Sequence, residues 1–187
     1  MPTTLACITY FYRMEKVILV NEMDQEVGAM EKMQAHEEAA MHRAFSVFIF
    51  NTKGEMLLQQ RALRKYHSAG LWTNACCSHP RPGEDIQKAA ERRLHEELGF
   101  TTPLSKIFEF TYKATFDNGL TENEFDHVFI GRYSGKIEPN KDEVSDYCFK
   151  TMNEIAATLK SHPHKYTAWF HIAFDKVMDW WSQSHNL

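Results

Sequence analysis

Trp72-Thr73-Asn74-Ala75-Cys76-Cys77-Ser78-His79-Pro80 is the stretch around which the chain is organised. It offers two thiols and an imidazole within a few positions, and Pro80 and Pro82 stiffen the backbone beyond them. A thiol can be a nucleophile, a metal ligand or a proton carrier, and its neighbours decide which. Candidate neighbours come from a carboxylate-rich segment, Glu84 to Leu98, and from Glu122-Asn123-Glu124-Phe125-Asp126. The chemistry depends on whether these three segments meet.

Working outward, Gly83-Glu84-Asp85 reads as a helix start with acids in the first turn, and Gly99 as its C-cap. Ile86, Ala90, Leu94 and Leu98 recur every four residues as its packing stripe, and Pro103 prevents continuation. Leu104 to Phe116 and Glu122 to Tyr133 read as strands around the turn Asp117-Asn118-Gly119. Upstream, Glu15 to Val20 and Val27 to Met30 form a candidate hairpin. Glu31 to Met41 is a short polar stretch carrying Lys32 and His36. His42 to Phe50 and Glu55 to Arg61 are strand candidates about Asn51-Thr52-Lys53-Gly54. Arg61, Arg64 and Lys65 form a basic cluster leading into the cysteines. Val144 to Phe149 is a last strand, with helices over Asn153 to Ser161 and Thr167 to Ser182. Strands interleaved with a few helices predict an α/β or α+β sandwich.

At 187 residues, 43% hydrophobic and 13% aromatic, the chain has enough apolar content for one folded domain, placed at residues 15–187 behind an extension at 1–14. A net charge of −4 gives no general nucleic-acid footprint, so any anion site is local. Cys7, Cys76, Cys77 and Cys148 read as reduced thiols, since adjacent cysteines such as Cys76 and Cys77 pair only with strain. Met1 to Tyr12 lacks the basic start and long apolar core of a secretory signal, and no run approaches the roughly 20 apolar residues of a membrane span. The expectation is a cytoplasmic protein acting on a small molecule, with no nucleic acid, membrane or obligatory protein partner.

Glu122 and Glu124 are two apart on a strand and share one face, with Asp126 following. Side-by-side carboxylates repel unless a cation or a shared proton relieves them; the plain alternative is a solvated sheet edge. His36, His42 and His79 added to the two glutamates make a donor set suited to Mn²⁺, Zn²⁺ or Fe²⁺, whereas Cys76, Cys77 and His79 lie too close together for a tetrahedral zinc site. Arg93 and Glu97 are one helical turn apart. They form either a surface ion pair or a site where Glu97 holds Mg²⁺ and Arg93 grips a phosphate, with Lys32, Arg61 and Lys65 assisting. Trp169 is a core residue by default; over an electron-poor centre its ring face stabilises positive charge.

Three motifs carry a resemblance: His42-Arg43-Ala44-Phe45-Ser46, Thr73 to Pro80, and Glu122-Asn123-Glu124-Phe125-Asp126-His127-Val128. Together they resemble the type I isopentenyl-diphosphate isomerases of the Nudix-like fold group, over about Lys16 to Trp181. The Nudix hydrolase pattern G-x5-E-x7-R-E-U-x-E-E-x-G-U is kept at Glu84, Arg92, Leu94, Glu96 and Glu97, but Ser78 replaces the leading glycine and Arg93 an acid. Hydrolysis in that group relies on helix acids gathering several Mg²⁺ ions, so Arg93 disfavours the alternative reading as a diphosphate hydrolase.

The resemblance implies a single-domain α/β (α+β) Nudix-like sandwich, with mixed sheets flanked by helices. It implies isomerisation of isopentenyl diphosphate to dimethylallyl diphosphate for isoprenoid biosynthesis. Cys77 and Glu124 would be the proton-transfer pair, with Tyr112 assisting Glu124, Trp169 lining the pocket, and a Cys77 thiol lowered by nearby cations. His36, His42, His79, Glu122 and Glu124 would hold an inner divalent metal (Mn²⁺, Zn²⁺ or Mg²⁺). Glu97 and the Cys77 backbone carbonyl would hold Mg²⁺ on the diphosphate, clamped by Lys32, Arg61, Lys65 and Arg93. One departure is Ala168, where many relatives place proline before the tryptophan.

Overall fold

The computed structural model describes residues 15–185; the extension at 1–14, with Cys7, lies outside the described residues. The central strand is β3 (His42–Phe50), buried almost throughout. A strand covered on both faces reads as a continuous apolar run, which is what Ala44-Phe45-Ser46-Val47-Phe48-Ile49-Phe50 nearly is. Among its partners are β8 (Thr121–Arg132), parallel, and β6 (Cys76–Ser78), antiparallel. The hairpin strand β7 (Leu104–Thr115) pairs with β8 around Asp117-Asn118-Gly119, where Gly119 takes a φ of 84°.

On the other side of the fold, β1 (Lys16–Val20) pairs with β2 (Glu26–Glu31) and touches β3 at Leu19 and His42. Strand β4 (Met56–Arg61) carries β9 (Val144–Lys150) and the short β5 (Trp72–Thr73). The sheet is therefore mixed, with helices on both faces.

Side-chain parity along β3 sorts the core into two layers. Phe45, Val47 and Ile49 pack with Cys76, Phe129 and helix α2 (Ile86–Leu98), whose Ala90, Leu94 and Leu98 form the expected stripe. Phe48, Phe50 and Val128 pack instead against helix α4 (Ala168–His185) through Trp169, Phe170, Ala173, Phe174 and Val177. Helix α3 (Met152–Ser161), opened by a capping box between Thr151 and Glu154, leads into α4 through a single 3₁₀ turn at Pro163–Lys165.

Three local readings need correction. The polar stretch 31–41 contains a helix, α1 (Lys32–Glu37), too short to show periodicity and capped by the Glu31 carboxylate, which accepts from the Gln34 amide at 2.9 Å. Helix α2 begins at Ile86: Asp85 is its N-cap, accepting from the Lys88 amide at 3.0 Å, so Glu84 and Asp85 precede the first turn. The cysteine stretch, read without regular structure, contributes β5 and β6. At the other end of α2, Gly99 has a φ of 75°, and a Cβ there would sit 2.6 Å from the Glu138 carbonyl oxygen.

Candidate active site

The register of β3 brings the three segments together. Paired residues in a sheet share a face. His42 lies beside Glu124 and Ala44 beside Asp126 on β8, Ser46 lies beside Cys77 on β6, and Tyr112 on β7 lies beside Glu124. All of these face the α4 layer. Cys76, one residue out of phase, is fully buried in the α2 layer, whereas Cys77 stays partly open. Cys77, Tyr112, Glu122, Glu124 and Trp169 line one cavity of about 120 Å³ together with Lys32, Arg61, Lys65 and Arg93.

Helix α1 turns His36 inward, 1% exposed, against His42 and His79 with ring centroids 5.1 and 5.8 Å away. The donor atoms of His36, His42, His79 and Glu124 all lie within 4.8 Å of one another. His42 Nδ1 donates to the Ala40 carbonyl at 2.8 Å, which leaves Nε2 turned inward, 3.4 Å from Glu124 Oε1 and without a hydrogen-bond partner. Neither ring nitrogen of His36 has a hydrogen-bond partner. Burial, reinforced by the neighbouring imidazoles His79 and His42, pushes His36 down to about 3, so the ring is neutral and able to ligate. Orphaned buried nitrogens beside a carboxylate are the donor set a divalent cation satisfies. Glu122 stands outside this group: its Oε1 faces His67 Nε2 at 3.3 Å and its Oε2 meets Tyr112 Oη at 3.0 Å.

The two glutamates are buried, 6% exposed each, and are not a solvated edge. Burial would raise Glu124, but His42 and His79 overcome it and hold its carboxyl well below the usual range; His79 Nε2 lies 2.9 Å from Oε1. Burial and the Glu124 charge push Glu122 the other way, towards the neutral acid. One proton thus relieves the repulsion. The Tyr112 hydroxyl has a single hydrogen to give and directs it to Glu124 Oε2 at 2.6 Å, while neutral Glu122 donates into Tyr112 Oη.

The Cys77 thiol departs from expectation. Burial and then the charge of Asp126 push it up rather than down. Its hydrogen-bonding neighbours, Ser46 Oγ at 3.4 Å and Asn74 Oδ1 at 3.0 Å, are neutral, so the cations of the pocket do not outweigh the cost of burying a thiolate.

Each of these basic residues is engaged by a carboxylate or a ring. Lys32 pairs with Glu15, and Lys65 with Glu143. Arg93 donates to Glu96 at 2.8 Å and to Glu97 at 2.6 Å, with Glu143 at 3.5 Å. Arg61 lies 5.0 Å from the Trp169 ring centroid, in cation–π range. Glu97 does not line the cavity: it is buried behind Arg93, and its other oxygen accepts from Gln59 at 3.0 Å. Of the retained helix acids, Glu84 and Glu96 both grip Arg92, tying the loop before α2 to the helix.

Sequence reasoning missed Glu15, Ser46, Tyr66, His67 and Glu143 as pocket residues. His67, 7% exposed, stacks on Phe116 at 4.6 Å and meets Trp169 edge-on at 5.8 Å. Only the β3–β6 register could have flagged Ser46. The others come from a loop and from the ends of strands, where no periodic pattern speaks.

Residues 40–170 match the NUDIX domain. The chain is 49% identical to isopentenyl-diphosphate Delta-isomerase 1 of Aromatoleum aromaticum, over 88% of this chain and 93% of that one. It is 46% identical to the isopentenyl-diphosphate Delta-isomerase of Pectobacterium atrosepticum, over 89% and 93%. Among solved structures, a Deinococcus radiodurans protein superposes with a TM-score of 0.66 at 19% identity, covering 79% of this chain and 90% of its own. MutT of Methanosarcina mazei superposes at 0.60 and 22%, covering 73% and 91%; both are likenesses of fold. With a NUDIX domain over most of its length and relatives near half identity over almost all of theirs, the chain belongs to the isopentenyl-diphosphate Delta-isomerase family.

Proposed function

We propose that the chain isomerises isopentenyl diphosphate to dimethylallyl diphosphate by protonating the terminal carbon of the alkene and removing a proton from the carbon next to the oxymethyl group. The observation that carries this is one pocket in which a thiol and a tyrosine-bonded carboxylate pair stand among four cationic side chains. The cations suit a diphosphate, and Lys32, Arg61, Lys65 and Arg93 are the residues we assign to it. Of these, Lys32, Lys65 and Arg93 rest on Glu15, Glu143, Glu96 and Glu97, which a diphosphate would replace as partners.

An unactivated alkene is a weak base, so its partner must be a strong acid in a dry site. A thiol raised by burial is a weak acid, which favours the Glu124–Tyr112 side as donor and Cys77 as acceptor. This order needs one proton to pass from the Cys77 thiol to the Glu124 carboxylate, against the resting preferences of both groups, so the thiolate–acid pair is reached only as a minor state. Glu124 then gives that proton to the terminal carbon, and the Cys77 thiolate takes one from the neighbouring carbon, which restores the thiol. The tertiary cation between the two steps is sheltered from water by Trp169, 2% exposed, whose ring face favours positive charge.

The inner site fits a divalent cation through His36, His42, His79 and Glu124, with Glu122 adjacent, and Mn²⁺, Zn²⁺ and Mg²⁺ are the ions we assign as candidates. Such an ion supplies Lewis acidity and charge neutralisation to the carboxylate wall. Glu97 and the Cys77 carbonyl are the proposed seat of Mg²⁺ accompanying the diphosphate. The test is incubation with isopentenyl diphosphate and Mg²⁺ followed by separation of products: dimethylallyl diphosphate is expected, and phosphate release without isomer would overturn the reading in favour of a hydrolase.

A further inference from the structure

The catalytic thiol is approached from behind by a buried polar chain. Asn74 is 0% exposed and all four of its hydrogen-bonding valences are engaged. Its Nδ2 donates to the carbonyls of Val47 at 3.1 Å and Cys76 at 3.0 Å. Two carbonyl partners fix the amide orientation, because an oxygen in that place would meet acceptors only. Oδ1 is therefore turned towards Thr73 Oγ1 at 2.9 Å and Cys77 Sγ at 3.0 Å. An amide oxygen only accepts, so both the Thr73 hydroxyl and the Cys77 thiol must donate to it. Thr73, its hydrogen committed, can only accept in turn, and Thr167 Oγ1 donates to it at 3.1 Å. Thr167 is itself 0% exposed and immediately precedes α4, the helix that carries Trp169.

We infer that Asn74 is a positioning residue for the isomerisation, holding Cys77 Sγ on the pocket wall, and that the hydroxyl chain Thr167–Thr73 fixes Asn74 relative to the helix bearing Trp169. The inference rests on the reaction proposed above, in which the sulfur and the indole flank the same substrate. Bond order along the chain is dictated at every link, so the resting thiol is held in the rotamer that touches Asn74 Oδ1 and Ser46 Oγ together, with Sγ already in place when its proton leaves. The two walls of the pocket come from distant parts of the sequence, and this chain joins them without passing through the metal-ligating cluster or the basic residues.

The contact is tested by the infrared S–H stretch of Cys77, taken as wild type minus Cys77→Ser. A band displaced below that of a free thiol is expected, and it should return towards the free position in Asn74→Ala. A wild-type band at the free-thiol position overturns the inference, whatever the turnover or the folding of any variant. The function is tested with isosteres. Thr73→Val and Thr167→Val should each lower kcat by roughly fivefold with KM unchanged, since one buried hydrogen bond is lost and the diphosphate clamp is untouched. Thr73→Ser, which keeps the hydroxyl, should restore kcat. The double variant Thr73→Val/Thr167→Val should be no slower than Thr73→Val alone, because the two act through one chain. Wild-type kcat in both valine variants, or losses that multiply, would sink the positioning role while leaving the isomerase reading intact. Failure of the wild type to make dimethylallyl diphosphate would sink that reading and the positioning role of Asn74 with it.

Discussion

His67→Phe should flatten the acid side of the stability profile of the metal-free protein. Burial first, and then the Arg61 charge, lower His67 from 6.5 to about 3. A base depressed on folding stays neutral in the native state while the unfolded chain takes up a proton below pH 6.5. Its contribution is therefore fully present above pH 6.5 and is lost as pH falls towards 3. Between those limits the slope is about 1.4 kcal/mol per pH unit, so lowering pH from 7 to 5 removes about 2 kcal/mol through this ring alone. Phenylalanine keeps the stack on Phe116 and the edge contact to Trp169 but does not titrate. The assay is urea unfolding of chelated wild type and variant at pH 7 and pH 5. With a slope of about 2 kcal/mol per molar urea, the midpoint advantage of wild type over variant should fall by roughly 1 M between the two pH values. Groups remote from His67 titrate alike in both proteins and cancel in the difference, whereas Glu122, 3.3 Å from its Nε2, loses that contact in the variant. Parallel loss of stability in the two proteins would show that His67 is not held neutral by its burial.

Cys77→Ala should lower turnover by roughly 10²–10⁴-fold at little cost in stability, whereas Cys76→Ala, altered on the α2 side of the sheet, should keep most activity; equal rates in the two variants would refute the parity argument. Arg93→Glu should raise KM, because it replaces a diphosphate donor with a charge that repels it, and an unchanged KM would remove Arg93 from the clamp. An analogue with a protonated tertiary amine at the cationic carbon should bind Trp169→Leu about 1–2 kcal/mol more weakly than wild type, with neutral substrate changed much less; equal weakening would make the indole only a wall.

What could be read from the sequence follows periodicity. The α2 stripe, the β7–β8 hairpin and the long buried β3 declare themselves, because each buries a face at a fixed repeat. Glu122 and Glu124 sharing a face is likewise a consequence of strand geometry. What stayed hidden depends on register between distant strands. Nothing in the local sequence says that Ser46 will oppose Cys77, or that Asp126 will lie on the same face and raise the thiol instead of leaving it to be lowered by cations. The six-residue α1 is held by one cap and its tertiary packing, so its inward-facing His36 gives no pattern to find.

The register also shows how a NUDIX scaffold turns away from hydrolysis. On α2 the arginine at position 93 engages Glu96 and Glu97 and reaches Glu143, while Arg92 takes Glu84 and Glu96. Glu84 and Glu96 are thus taken up by neighbouring guanidiniums, so no cluster of acids is left there to gather several ions, and Glu97 becomes available to a single cation only when Arg93 turns from it to the diphosphate. The unsatisfied donors lie across β3 instead, where His36, His42 and His79 surround an ionised Glu124. A divalent ion held by that set would sit beside Glu124 and Tyr112, the groups proposed above to move protons, rather than among the helix acids. In the function proposed above, a diphosphate would meet Arg93, Lys65 and Lys32 as a ligand to be held, in the same cavity that Cys77 and Trp169 line.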